Sequence, residues 1–369
     1  MSRFDKIKNI VLIAVVSSFL FFFSAWNAVK PDGEYSVSER RPLAQMPPLS
    51  IESIADGRFT SEFETYSLDQ FPMRDAFRTL KAVTSFYAFG KLDNNGIYIK
   101  DGYASKLEYP ENYGSVDHAI DRMRYIYEHY VLDTDSKVYI TVIPDKNYFL
   151  ADSVYPSIDY EAFFEYIKSS ADFAEYIDIT DLTDISDYYK TDTHWKQECI
   201  IDIADRLLSS MGNDTFSNRT YDVVTSDSPF YGVYYGQAAL PLEADTLKYL
   251  VNDTLKACSV YDFETDKYIG VYDMEKLTGK DPYEVYLSGS KSLLKVKNPN
   301  ANSDKKLILI RDSFGSSIAP LMFDSYAEIS IIDIRYISPA ILGRFIDFAD
   351  SDVLFLYSTL VLNNSETFK

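Results

Sequence analysis

The longest uninterrupted apolar run lies at the N terminus, where Ile10 to Ala25 read IVLIAVVSSFLFFFSA without a charge, behind Arg3, Lys6 and Lys8. With Trp26 to Val29 added, the stretch reaches about 20 residues, the length a helix needs to cross a bilayer. The basic cluster ahead of it predicts a cytoplasmic N terminus and an extracytoplasmic remainder. No tidy small-x-small site follows Phe21-Phe22-Phe23, so residues 1–29 read as a signal anchor in preference to a cleaved signal. Residues 30–58, with SERRPLAQMPPLS at their centre, read as a polar, proline-bearing linker.

Helical signals follow. Ser61-x-x-Glu64 has the form of a capping box, and after Pro72 the positions Phe77, Leu80, Val83 and Tyr87 recur at helical spacing. Val116, Ile120, Met123, Tyr127 and Tyr130 mark one apolar helix face, and Ile200, Ala204, Leu207 and Met211 another, within a helix expected over Lys196 to Met211. Lys137 to Ile143 form a buried-type strand. Near the C terminus, strands at Leu307–Ile310, Ile329–Ile334 and Val353–Tyr357 alternate with helices expected at Ile318–Met322 and Pro339–Phe348. Such alternation predicts an α/β fold, a parallel sheet covered by helices, over residues 59–369. Residues 217–300 break the rhythm and read as an insertion.

Composition narrows the function. Lys and Arg total 36 against 56 Asp and Glu, a net charge of −20. A nucleic-acid backbone is therefore excluded as a partner, and a neutral or cationic acceptor is expected over a polyanion. The 31 tyrosines suit glycan-facing grooves as well as core packing. His118, His129 and His194 have no companions at metal-ligand spacing, so no metal site is expected. Cys199 and Cys258 are the only cysteines, open to a single disulfide or to inert buried thiols.

Two segments carry chemistry. In Asp192-Thr193-His194-Trp195, side chains two apart project to one side of an extended turn. Asp192 can then hold the Nδ1 hydrogen of His194 and leave Nε2 as a base. In Ile308-Leu-Ile310-Arg311-Asp312-Ser313-Phe314-Gly315, a buried strand ends in a turn that exposes a serine, the position where open α/β sheets place their sites. Together they supply nucleophile, base and orienting acid. Asp145 and Lys146, at the end of a strand, are candidates to line the cleft, as are Arg311, Tyr235 and Gln237. Ser288-x-x-Lys291 is a rival serine pattern, but it lacks the Lys-Thr-Gly and Ser-x-Asn partners of penicillin-binding proteins.

The Asp-Thr-His-Trp stretch, the Asp-Ser-Phe-Gly turn and the segment DGRFTSEFETYSLDQFPMRDAF together resemble the DHHW family. That family is related to alginate and exopolysaccharide O-acetyltransferases with an SGNH-hydrolase-like domain. The resemblance implies a membrane-anchored enzyme that acetylates a cell-surface or secreted polysaccharide, with Ser313 as nucleophile, His194 as base and Asp192 as orienting acid. It also implies an MBOAT-type membrane acyltransferase that supplies the acetyl group, with no cofactor of the chain's own. Thr193 stands where the family has the first of two histidines, and Arg311 where SGNH proteins usually have glycine. A carbohydrate acetylesterase, or a non-catalytic glycan-binding partner of a membrane acyltransferase, are the alternatives the residues leave open.

Overall fold

The computed structural model describes residues 3–213, 219–301 and 303–369. The chain divides into two compact units, one made of residues 1–94 with 236–241 and the other of 95–235 with 242–369.

In the first unit, α1 (Arg3–Val29) is long and apolar enough to cross a membrane, and none of its apolar stretch is buried by protein. Helix α2 (Arg58–Asp69) starts directly after Gly57, whose φ of 81° is a left-handed value that glycine adopts without strain. Ser61 and Glu64 therefore lie inside the helix, and the expected capping box does not form there. The box that does form is upstream. Ser50 Oγ accepts from the Ser53 N–H while Ser53 Oγ accepts from the Ser50 N–H, opening a single turn at Ile51–Ala55. Pro72 ends the α2 connection, and α3 (Arg74–Val83) follows. Between α1 and α2 the chain is pinned rather than free. Tyr35–Ser36 pair with Arg41–Pro42. The Arg41 guanidinium meets Asp69 through two bonds of 2.7 and 2.6 Å. That pairing holds the Asp69 carboxyl down to about 2.

The second unit is built on an eight-stranded sheet. Its strands in chain order are β1 (Lys137–Ile143), β2 (Glu175–Tyr176), β3 (Ser259–Asp262), β4 (Lys267–Ile269), β5 (Leu293–Lys297), β6 (Lys306–Arg311), β7 (Glu328–Ile332) and β8 (Ser351–Ser358). In space they run β4-β3-β5-β7-β6-β8-β1-β2. The five from β7 to β2 are parallel. Strands β5, β3 and β4 extend the sheet antiparallel. The short turn at 263–266 can join only antiparallel neighbours, since a parallel pair needs a crossover of about a dozen residues. These three strands come from the 217–300 segment, whose positions 217 and 218 lie outside the described residues. The same segment holds a separate antiparallel pair, Asp222–Phe230 with Asp245–Val251.

Strict alternation splits the central strands between two cores. Leu307 and Leu309 of β6, with Leu354 and Leu356 of β8, face Ile203 and Leu207 of α6 (Ile201–Ser210). Ile308 and Ile310, with Val353 and Phe355, face the other way, where Val116, Ile120 and Met123 of α4 (Tyr113–Ile126) and Phe163 and Ile167 of α5 (Tyr160–Ser170) cover them. Each such fully buried side chain is stabilising by about 2 kcal/mol.

Three helices differ from expectation. The helix expected from Lys196 begins at Ile201, because Gln197 is buried and its amide is committed elsewhere: Nε2 donates to Ser317 O, and Oε1 accepts from the Leu250 N–H. A single 3₁₀ turn, Gln197–Cys199, precedes it. Pro320 lacks an N–H, so only Gly315–Ile318 is α-helical and a 3₁₀ segment, Ala319–Ser325, carries on. Pro339–Arg344 is likewise 3₁₀. Cys199 and Cys258 are free thiols, and burial pushes Cys258 up to about 12.

Candidate active site

Strand β6 delivers Ser313 at its carboxyl end, beside β8, where the chain reverses direction across the sheet. After β6 the chain adds β7 on one side and then returns to place β8 on the other. Asp312 makes the turn. Its Oδ1 accepts from the Phe314 N–H at 3.0 Å, and its Oδ2 accepts from the backbone N–H and hydroxyl of Ser358 at 2.8 and 2.7 Å. The buried carboxylate thus ties the ends of β6 and β8 together and leaves Ser313 partly exposed.

The Asp192–His194 segment is held as rigidly. Tyr188 and Trp195 bridge antiparallel at its base, and the Tyr189 N–H donates to His194 O. The carboxylate of Asp245 receives the N–H groups of Lys190 and Thr191 and the Thr191 hydroxyl. Trp195 anchors the far side, its indole N–H donating to Ser317 Oγ at 2.9 Å.

Within this frame Asp192 Oδ1 lies 2.6 Å from His194 Nδ1, and His194 Nε2 lies 2.8 Å from Ser313 Oγ. A carboxylate can only accept, so the imidazole proton is on Nδ1 and the Nε2 lone pair faces the Ser313 hydroxyl. Asp192 is fully buried, and its Oδ2 accepts from the Val233 N–H at 2.8 Å. His194 is 7% exposed and lies flat against Tyr283, ring centroids 3.8 Å apart and 7° from parallel. Tyr283 is fixed in turn by its hydroxyl, which donates to Ser317 Oγ at 2.8 Å. Burial holds the Tyr283 phenol well above its ordinary range, so it stays neutral.

The other residues singled out in the sequence are placed differently. Asp145 is buried, accepting from Tyr160 and Thr359 hydroxyls and from the Asn147 N–H. Lys146 is 2% exposed, and its ammonium donates to Tyr189 O and Lys190 O at 3.0 and 3.2 Å, beneath the Asp192–His194 segment. Arg311 is also buried, donating to Asp312 O, with Nη1 3.8 Å from Asp333. Tyr235 touches the segment through its backbone, donating to Thr191 O, while Gln237 belongs to the other unit. Ser288 and Lys291 are engaged apart from each other, with Asp273 and with Asp262 and Glu264.

Three contributors were not singled out from the sequence: Tyr283, Gly232 and Tyr234, whose hydroxyl donates to Thr193 Oγ1 at 3.1 Å. Gly232 was detectable in principle, as a glycine in an otherwise tyrosine-rich run. A Cβ built there would lie 2.3 Å from the Asp192 backbone. Gly232→Ala is therefore expected to displace Asp192, lowering turnover about 100-fold and stability by about 2 kcal/mol. Steady-state kinetics and thermal unfolding check this, and wild-type values in both would refute the close-packing argument.

Lys146 gives a pH signature. Burial drives its ammonium down to about 7, against the pull of Asp192, Asp245 and Asp145. Between that value and the ordinary lysine value of 10.5 the unfolded chain binds the extra proton, so this group makes stability rise as pH rises. The contribution should approach about 1 kcal/mol per pH unit from 7 to 9. Urea unfolding across that range should show the slope in the wild type and lose it in Lys146→Met; equal slopes would contradict the burial of a titrating ammonium.

Comparison with protein-family models and with curated proteins finds no match. Among solved structures, a DHHW family protein from Eubacterium siraeum is similar over 74% of this chain and 95% of its own, with 21% identity and a TM-score of 0.59. Bacillus cereus PatB1 is similar over 72% of this chain and 96% of its own, with 15% identity and a TM-score of 0.57. PatB1 with a sulfonyl adduct gives 16% identity over 74% of this chain and 95% of its own, with a TM-score of 0.55. The family resemblance in the motifs and the architecture of the sheet thus agree, and the chain has the fold of the DHHW family protein and of PatB1.

Proposed function

We propose that the chain is a membrane-anchored, extracytoplasmic O-acetyltransferase that acetylates a polysaccharide through an acetyl-Ser313 intermediate. The observation that carries this reading is the continuous line from Asp192 through His194 to Ser313, made of bonds of 2.6 and 2.8 Å. In the first half-reaction Ser313 Oγ attacks the donor's acetyl carbonyl while His194 Nε2 takes its proton. Asp192 stabilises the imidazolium. The tetrahedral intermediate collapses, and the leaving group carries away the proton from His194. In the second half-reaction a sugar hydroxyl gives its proton to His194 and attacks the acetyl-serine. Ser313 then leaves and recovers that proton.

Helix α1 serves as the anchor in this reading. An MBOAT-type membrane acyltransferase is the partner that delivers acetyl groups, so the chain needs no cofactor of its own. The test is to incubate the full-length protein with an activated acetyl ester, quench, and map the acetyl group by mass spectrometry. Acetyl on Ser313 that chases onto an added neutral oligosaccharide supports the transferase. Chase only into acetate would make it an esterase, and no acetyl on Ser313 would overturn the nucleophile. Because PatB1 has been solved with a sulfonyl adduct, a sulfonyl fluoride competing for Ser313 provides the control.

A further inference from the structure

Helices α2 and α3 are poorly explained as helices in water. The 12 residues of α2 bury only Asp69, and α3 with the π-helical turn Thr84–Ala88 that continues it buries only Ala82 and Ser85, whereas most helical stability comes from packing an apolar face. Large apolar side chains on them are turned outward: Leu68 is 64% exposed, Leu80 59% and Phe63 41%, with Met73 between the helices at 55%. Something apolar must cover this surface, and the contacts of α1 indicate what it is.

The apolar run of α1 begins only after Lys8. At about 1.5 Å per residue, spanning a hydrocarbon core of about 30 Å takes about 20 residues. A membrane entered at Asn9 or Ile10 is therefore not left before about Val29. Phe19 and Phe23 consequently lie at hydrocarbon depth. They are not bare within the protein. Phe71 stacks on Phe23 at 5.4 Å and 12°, and Phe77 meets the same ring edge-on at 5.6 Å. A groove of about 720 Å³ runs between Phe19, Leu20 and Phe23 on one wall and Phe63, Tyr66 and Phe71 on the other. Polarity changes in step along the helix axis. Just past Val29, the Lys30 ammonium donates to Gln70 O, the Gln70 amide meets the backbone of Gly33, and Tyr66 donates to Asp32.

We propose that α2 and α3 lie in the membrane leaflet at the C-terminal end of α1, with Phe63, Leu68, Met73 and Leu80 among the lipid chains. This rests on the reading of α1 as a membrane anchor. It goes further by making residues 58–83 a second, interfacial element of attachment. Amphipathic helices of this kind bind by burying an apolar face at the headgroup boundary. The two arginines of α3 are satisfied within the protein, Arg74 by Glu39 and Arg78 by Glu39 and Gly236 O, so attachment should not require anionic lipid.

The test uses the full-length chain in phosphatidylcholine vesicles that contain a lipid with a photoreactive diazirine in its acyl chain. After irradiation and proteolysis, label is mapped by mass spectrometry. The exposed hairpin β3–β4, whose Tyr268 is 72% exposed, serves as the control for surface aromatic labelling. Label on residues 58–83 several-fold above the hairpin, together with label on α1, is the expected result. Label on α1 with 58–83 at the hairpin level would overturn the proposal and leave that face to a protein partner. Label on neither segment would overturn the anchor reading itself, and this proposal with it, so the two failures are told apart.

Discussion

Ser313→Ala should lower acetyl transfer by about 10⁴-fold or more while leaving the fold intact. Ser313 is partly exposed, and its hydroxyl bonds only into the site, so removing one oxygen empties no core and orphans no buried partner except the His194 Nε2 lone pair. Asp312, which makes the turn, is untouched, and its three bonds to Phe314 and Ser358 still tie β6 to β8. The expected pattern is thus a collapse of turnover, loss of the trapped acetyl-enzyme, and an unchanged melting temperature. Full activity in this variant would leave the chain a glycan-binding partner of another acyltransferase. An unfolded variant would contradict the placement of Ser313 outside the core.

Asp192→Asn should cost about 10⁴-fold in turnover and, unlike the serine change, some stability. Asp192 is saturated by donors: Oδ1 takes the His194 Nδ1–H and backbone N–H, and Oδ2 takes the Val233 N–H. An amide offers one acceptor and one donor. If its oxygen faces His194, its NH₂ confronts the Val233 N–H in a fully buried position, and two donors lose partners at a cost of about 1–3 kcal/mol. If its NH₂ faces His194, the imidazole accepts at Nδ1 and carries its proton on Nε2, where it can no longer receive the Ser313 proton. Both orientations fail, for different reasons. Circular dichroism and thermal unfolding should report a folded but less stable protein, and kinetics the loss of turnover. Retained turnover would remove Asp192 from the mechanism.

Much of the scaffold was legible because its signals are local. The runs Lys137–Ile143, Leu307–Ile310 and Val353–Tyr357 are apolar on both faces, and each became a central strand covered on two sides. The Asp192-x-His194 spacing needed only an extended turn to bring carboxylate to imidazole. Local signals misled where a distant partner competed. Ser61 and Glu64 had the form of a cap, but the left-handed Gly57 starts α2 ahead of them. Lys196 had the periodicity of a helix start, but Gln197 is held by Ser317 and Leu250.

The long apolar N-terminal helix, the alternating strands and helices, and the types of residue able to form a triad were determined by the sequence alone, because each depends on neighbours within a few positions. The 2.8 Å approach of His194 to Ser313 across 119 residues was decided by the tertiary structure. So were the Tyr283 ring against the imidazole, the fit of Gly232 onto Asp192, and the burial of Lys146 and Arg311. These depend on which strands become neighbours and how closely their loops pack. No local spacing encodes them, since the contacts become favourable only after the sheet has brought distant segments together and excluded water between them.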